Sequence, residues 1–347
     1  MTLVSIPKHA VAELVQRLMA ERRTFGVKEK EPGFYAFDEL RSPEELVLEY
    51  SRTILPPKKY FMPPWETLVR YRLGETVEVE PVFEGEPFAV VGVHSCDLHA
   101  ILLLDRAFAD VYEDEHYFAR RRASFIVGVD CVPDEYCYCT SMGTCTVESG
   151  YDLFLNSVGE KWLVEVGSSA GAELVEKLPG ACPASAEDIA AWKASVKERR
   201  RRVQRTIAAD IHTLPLLLTH AQDHPAWREW GEKCLSCGQC ILVCPTCLCF
   251  DVQDELKFAT NEGERVRRWD GCMLQEFARI ASGENFRPTP TERLRHRIHR
   301  KFHYLFLRYG KPFCTGCGRC TLTCPAEIDQ VSLLNDLAVG TAKGVLS

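Results

Sequence analysis

Apolar residues Val11, Leu14, Val15, Leu18 and Met19 fall three and four positions apart, with Glu13, Gln16, Arg17, Glu21 and Arg22 between them. This spacing predicts an amphipathic helix near the start of the chain. The pattern then changes period. Pro87 to Val93 and Ser124 to Val129 are short, continuous apolar runs of the kind found in strands buried on both faces. Asp97 to Phe108, between them, returns to helical spacing. Strand, helix, strand predicts an α/β domain with at least one parallel pair. Tyr151 to Asn156 and Lys161 to Val166 flank a short turn containing Gly159, which predicts a hairpin completing the sheet.

Beyond Cys182 and Pro183 the pattern becomes helical. Ser185 is placed as an N-cap, Glu187 and Asp188 charge the first turn, and the helix runs through Trp192 and Val196 into Arg199 to Arg202. Four consecutive arginines read most simply as a solvated helical face, or as cations lying over a partner or near an anionic centre. Phe277, Ile280, Leu294, Ile298, Phe302 and Leu305 fall at helical intervals near the far end. Pro56, Pro57, Pro63 and Pro64 mark an extended connection in the N-terminal half. The expected division is an α/β domain over residues 1–183, a helical bridge over 184–231 and a helical domain over 232–347.

With 347 residues, 46% of them hydrophobic, the chain has room for two cores, and its net charge of −7 argues against a nucleic-acid binder. Its longest apolar runs, such as Leu214 to Leu218, are too short to cross a bilayer. The opening residues lead directly into the first helical pattern without a charged-then-apolar leader, so a cytoplasmic location is expected. Seventeen cysteines are far more than usual, and in a reducing compartment clustered thiols point to metal and not to disulfides.

The cysteines are not scattered. Cys234, Cys237, Cys240 and Cys244-Pro245 form one run; Cys314, Cys317, Cys320 and Cys324-Pro325 repeat its spacing. Three thiolates two residues apart wrap a tight turn around one corner of a [4Fe–4S] cubane, and the Cys-Pro projects away toward the other cluster. On that geometry one cluster takes Cys234, Cys237, Cys240 and Cys324, and the second takes Cys314, Cys317, Cys320 and Cys244. Paired Cys-x-x-Cys is also how structural zinc reads, but each run carries a third spaced cysteine and a Cys-Pro beyond what zinc needs.

Cys96 follows the first predicted strand, and Cys131, Cys137, Cys139 and Cys145 follow the second. Strand carboxyl ends in open α/β sheets are where ligands sit, so Cys96 with three of the other four could form a third metal centre; structural thiols or zinc are the alternatives. Cys247, Cys249 and Cys272 remain as thiols without an assigned role. His296, His299 and His303 share a helical face, but Arg295, Arg297, Arg300 and Lys301 beside them favour a basic surface stripe over a metal site.

At these residues the chain resembles a family of iron–sulfur subunits, those of sulfhydrogenase, where the member is the beta subunit, together with their counterparts in anaerobic sulfite reductase. The resemblance rests on Cys234 to Phe250, on Trp269 to Cys272, Gly283 to Arg287 and Arg297 to Phe302, and on Cys314 to Cys320. Gly92 to Ala100 and Cys137 to Gly143 are similar to the same family. It implies an electron carrier between a flavoprotein subunit handling NAD(P)H and a catalytic hydrogenase or sulfite reductase subunit. The fold class expected is therefore an α/β N-terminal domain followed by an α-helical ferredoxin-like domain with two [4Fe–4S] clusters.

No substrate-chemistry motif competes with that reading. Gly167 to Gly171 does not fit a dinucleotide fingerprint, and no nucleophile elbow, P-loop or HExxH occurs. The alternative expectation is a disulfide or sulfur reductase acting at the third, N-terminal centre.

Overall fold

The computed structural model describes residues 2–345, with side chains as far as Val339. Among the described residues twelve strands form two sheets. The larger contains β1 (Thr2–Pro7), β2 (Arg23–Glu31), β3 (Phe34–Glu39), β6 (Phe88–His94), β7 (Ser124–Val129), β8 (Leu153–Val158), β9 (Lys161–Val166) and β10 (Cys182–Pro183). The smaller contains β4 (Trp65–Leu73), β5 (Val77–Pro81), β11 (Phe250–Lys257) and β12 (Glu262–Trp269).

In the large sheet the order is β10-β1-β9-β8-β7-β6-β2-β3. Strands β2, β6, β7 and β8 run parallel, with Phe88 opposite Ser124 and Val127 opposite Leu153. The two runs of continuous hydrophobicity are thus the parallel centre, and every residue of β6 is buried. The expected hairpin is β8–β9, turning through Gly159 at φ 56°. The N-terminal residues differ from expectation: β1 precedes the helix Ala10–Glu21 and pairs with β9.

The ladder between β6 and β7 shifts register between Val91 and Val93, where Gly92 has φ 92° and its carbonyl accepts from Tyr50 Oη at 2.5 Å. This bulge lies at the carboxyl end of β6, immediately before the helix Ser95–Phe108, and aims Cys96 and Asp97 toward the C-terminal half.

The small sheet joins distant parts of the sequence. Its order is β11-β12-β4-β5, all antiparallel, so the hairpin inserted between the two cysteine runs pairs with a hairpin from the N-terminal half. Glu66 on β4 fixes it from beneath: it accepts from Arg120 and Arg267, both at 2.6 Å, and all three side chains are buried. The helical periodicity expected from Phe277 onward begins only at Pro290. Phe277 lies in a short 3₁₀ turn, and Ile280 is exposed. Phe286 through Thr289 then lead into a capping box, Thr289 with Glu292, at the start of Pro290–His299.

The helix Ala186–Arg202 packs on β8 and β9, and its capping Asp188 accepts from Ser5 Oγ of β1 at 2.7 Å. That hydrogen bond, with those from Ser185 and Lys161, holds the Asp188 carboxyl down to about 2 despite partial burial. A second core, built from Leu214, Leu218, Trp227, Ile298, Phe302, Leu334 and Leu337, lies beyond and includes Tyr138 from the N-terminal half. Among the described residues no helix is long and apolar enough to cross a membrane.

Candidate metal centres

Both cysteine runs fold the same way. Ser236 and Gly238 take φ 54° and 77° in the first; Gly316 and Gly318 take 67° and 72° in the second. Each αL glycine starts a single helical turn, Gln239–Leu242 or Arg319–Leu322, and the two turns pack against each other. Backbone amides point at sulfur: Ser236 N donates to Cys234 Sγ and Ile328 N to Cys324 Sγ, each at 3.4 Å.

Cys234, Cys237, Cys240 and Cys324 line one cavity, together with Cys320, Arg297, Leu294 and Ile298. Arg297 is 4% exposed, and only Nη1 is bonded, to Gln330 Oε1 at 2.8 Å; Nε and Nη2 find no acceptor. A buried guanidinium with unmet donors beside four thiols fits an anionic, thiolate-bound group in that cavity. Burial pushes the Cys240 thiol up to about 12, against the pull of Arg297, so a bound cation is what would favour its thiolate.

Cys244 lies in a different setting. Lys301 Nζ donates to Cys244 Sγ at 3.1 Å, Thr246 Oγ1 at 2.9 Å and the Phe313 carbonyl at 3.1 Å. Burial opposes ionisation most strongly, yet Lys301, Arg297 and the Thr246 hydrogen bond together outweigh it and bring the Cys244 thiol down to about 7. Lys301 reaches inward from a π-helical turn, Arg300–Tyr304, whose extra residue rotates it toward the cysteines. Cys244 and Cys320 are electrostatic neighbours of Cys317, and Lys301 and Cys320 are neighbours of Cys314.

The segment expected as a basic surface stripe is therefore largely internal. Arg297, His299 and Lys301 are buried; His299 bonds to the Arg295 and Leu218 carbonyls and packs on Trp227. Periodicity identified a cationic face but could not show that thiols on the other element would draw it inward.

The N-terminal cysteines also converge. Cys139 and Cys145 sulfurs are 2.6 Å apart across the turn Cys139–Met142. Cys96 and Cys131 are electrostatic neighbours of Cys139, and Cys137 is a neighbour of Cys131. Arg52, paired with Asp134, reaches Cys137 Sγ at 3.6 Å. Arg199 pairs with Asp130, and both Arg199 and Arg200 act on Cys145. Two of the four consecutive arginines thus face thiols. Cys182 is exposed and lies apart on β10.

This N-terminal loop is interleaved with the second cysteine run. Tyr138 N donates to the Gly316 carbonyl at 2.9 Å, and Thr144 Oγ1 donates to the Thr315 carbonyl at 2.6 Å. Tyr138 Oη lies 3.0 Å from Cys314 Sγ and accepts from Gln330 Nε2 at 2.6 Å, leaving its own hydrogen for the sulfur. Arg319, between Cys317 and Cys320, forms a bidentate pair with Asp97 at 2.6 and 2.8 Å, next to Cys96. Only Arg319 had a signal in the sequence, its position inside a motif. Tyr138, Gln330, Arg297, Lys301 and Asp97 reach the centres through tertiary contacts that no local pattern encodes. Among the described residues no three His, Cys, Asp or Glu side chains group closely enough to hold a single metal ion.

Comparison with known proteins matches residues 233–328 to the 4Fe-4S dicluster domain family. The chain is also 38% identical to sulfhydrogenase 2 subunit beta of Pyrococcus furiosus over 341 residues, 98% of this chain and 99% of that protein. The chain belongs to the sulfhydrogenase beta subunit family of iron–sulfur proteins. No solved structure matches it. Its family membership extends over the α/β half as well as the dicluster domain, so the interleaved loop at Tyr138 lies within the family relationship.

Proposed function

We propose that this family member is the electron-transfer subunit of an oxidoreductase complex, carrying one [4Fe–4S] cluster on Cys234, Cys237, Cys240 and Cys324 and a second on Cys314, Cys317, Cys320 and Cys244. The observation that carries the reading is the crosswise arrangement: Cys324 shares a cavity with the first run, while Cys244 neighbours Cys317 of the second. A third cluster on Cys96, Cys131, Cys139 and Cys145 extends the series into the α/β half, supported by Cys317 being an electrostatic neighbour of Cys96 and by the Arg319–Asp97 pair beside them. Residues 232–347, apart from the β11–β12 hairpin, act as an α-helical ferredoxin-like unit, with 184–231 bridging to the α/β unit of 1–183.

Thiolate-bound cubanes supply one-electron chemistry over roughly −700 to +450 mV. The chain's own part is to set where in that window they work. Lys301, Arg297 and Arg319 place positive charge beside the thiols, and Tyr138 and the amides of Ser236 and Ile328 donate to sulfur. All of these favour the more negative, reduced form. The partners expected are a flavoprotein that handles NAD(P)H and a catalytic hydrogenase or sulfur-compound reductase, in the cytoplasm.

Anaerobic isolation with iron, sulfide and zinc analysis, followed by EPR on reduction, tests this. Cys237→Ala and Cys317→Ala should each lose one cluster's iron and its EPR signal. Full iron in either variant refutes the ligand assignment. A dye-driven assay of the isolated chain on sulfur substrates separates the carrier from a reductase, because turnover without partners supports the latter.

Tyr138→Phe removes the hydrogen bond to Cys314 while preserving the ring in the second core. Iron content should be unchanged and one reduction potential should fall, since the reduced state loses a donor. An unchanged potential by redox titration would mean that the hydroxyl does not donate to that sulfur.

A further inference from the structure

Eight cysteines account for the two motif sets, five more surround the N-terminal centre and Cys182 lies apart on β10, which leaves Cys247, Cys249 and Cys272. The fold brings them together from two segments. Cys247 and Cys249 lie in the turn between Cys244-Pro245 and β11, and Cys272 follows β12. Because Phe250 pairs with Trp269, the residues entering and leaving this hairpin, Cys249 and Asp270, are held opposite each other. Gly271 lets the exit strand close down: a Cβ there would lie 2.6 Å from Ile241 Cδ1 and 3.6 Å from Cys249 Cβ. Cys247 and Cys272 lie in the second core with Cys249 packed against it, and Cys272 is an electrostatic neighbour of Cys247. Cys247 and Cys272 are buried.

Cations outnumber carboxylates around these thiols. Lys58 is 3% exposed, and its ammonium sits 4.1 Å from the centre of the Trp269 ring. Its hydrogen bond goes to the Cys247 carbonyl at 2.9 Å. Burial pushes the Lys58 ammonium down, and Cys247, Cys244 and Cys249 act against that. Burial pushes the Cys272 thiol up to about 11, against the pull of Arg297, Lys301 and Arg300. A cation held in this buried space beside three cysteines suits an anionic, thiolate-bound group. A dithiol–disulfide pair would use Cys247 and Cys249 alone and would be neutral when oxidised, leaving Lys58 and Cys272 without a function.

We propose that Cys247, Cys249 and Cys272 hold an additional iron–sulfur cluster. Three thiolates leave its fourth corner to a non-cysteine ligand; the Asp270 carboxyl, opposite Cys249 on the hairpin, already accepts from the Gly271 amide through Oδ1 at 2.7 Å. The site touches both motif sets, since Cys272 is a neighbour of Cys240 and Cys247 of Cys244. It also faces the small sheet through Phe250 and Trp269 and gives the electron path a branch toward that side of the molecule. The inference rests on the electron-carrier reading only in taking the chain to be loaded with clusters.

The test is cluster counting by native mass spectrometry on the full chain, isolated anaerobically, with EPR alongside. Cys249→Ser/Cys272→Ser should lose one cluster relative to wild type and keep the signals of the motif clusters, and Cys237→Ala should lose a different one. Should the double variant not fold, Cys131→Ser/Cys139→Ser gives an independent count: three clusters are expected, and two overturn the proposal. An unchanged count in Cys249→Ser/Cys272→Ser, while Cys237→Ala loses a cluster, overturns the additional site alone. Zinc in place of iron, or a wild-type chain two hydrogens lighter from a Cys247–Cys249 disulfide, also overturns it. A wild-type chain free of iron overturns the electron-carrier reading itself.

Discussion

Replacing Arg319 with alanine should cost about 3–5 kcal/mol of stability, because it leaves the Asp97 carboxylate buried without its partner. Asp97 and Arg319 are each 1% exposed. The guanidinium makes two parallel bonds to Asp97, a third to the Thr53 carbonyl at 2.9 Å and a fourth to Thr53 Oγ1 at 3.1 Å. This one side chain ties the second cysteine run to the helix that follows β6 and to the loop before the small sheet. Arg319→Lys keeps the charge but not the fork, and should recover part of the loss. Arg319→Met/Asp97→Leu, which removes both charges, should be more stable than Arg319→Ala alone. In the iron-loaded protein, Arg319→Lys should shift the potential of the adjacent centre less than Arg319→Met. Removing a cation beside Cys317 disfavours the reduced state, so the shift is downward. Anaerobic denaturant unfolding measures the first effect and redox titration the second. A loss below about 1 kcal/mol for Arg319→Ala would show that the pair is not what joins the two halves.

That junction explains how much of the molecule was readable from sequence. The parallel pair of β6 and β7, the β8–β9 hairpin and the capped helix from Ser185 each follow from local patterning, because burial on both faces, a turn glycine and a cap residue leave contiguous traces. The small sheet leaves a weaker one: β4 and β5 do alternate, as in Val69-Arg70-Tyr71-Arg72-Leu73 and Val77-Glu78-Val79-Glu80, but every residue of β5 is exposed and the partner of β4 lies some two hundred positions downstream, so local alternation could not place these strands in a sheet. The cysteine runs were legible because the same spacing occurs twice. Their electrostatic surroundings were not: Lys301 and Arg297 look like solvated charges at helical spacing until a π turn and a neighbouring cavity turn them inward. Lys58, in a proline-rich stretch that reads as a surface connection, is buried for the same reason.

The loop that docks on the second motif gives the other large effect. Gly316 and Gly318 both have positive φ, and a Cβ on either would strike backbone: 2.7 Å from Cys139 N and Tyr138 C for Gly316, and 2.4 Å from the Tyr136 carbonyl oxygen for Gly318. Gly143 has the same φ, 67°, as Gly316, but nothing lies within 4 Å of its added Cβ. Gly143→Ala should therefore cost only the left-handed penalty, about 1–2 kcal/mol. Gly316→Ala and Gly318→Ala should cost about 2–5 kcal/mol, because backbone cannot move aside as a side-chain tip can. Gly238, the counterpart of Gly318 in the first run, meets Leu274 Cδ2 at 2.8 Å, a flexible end, so its alanine variant should fall between. Relief of the clash in Gly316→Ala requires residues 136–145 to lift, breaking the Tyr138–Gly316 and Thr144–Thr315 hydrogen bonds and withdrawing Tyr138 from Cys314. Amide hydrogen exchange should consequently speed up across that loop in Gly316→Ala and stay near wild type in Gly143→Ala. Equal unfolding shifts for the two variants, with the loop equally protected in both, would mean that the N-terminal centre and the second cysteine run are only neighbours and do not hold each other in place.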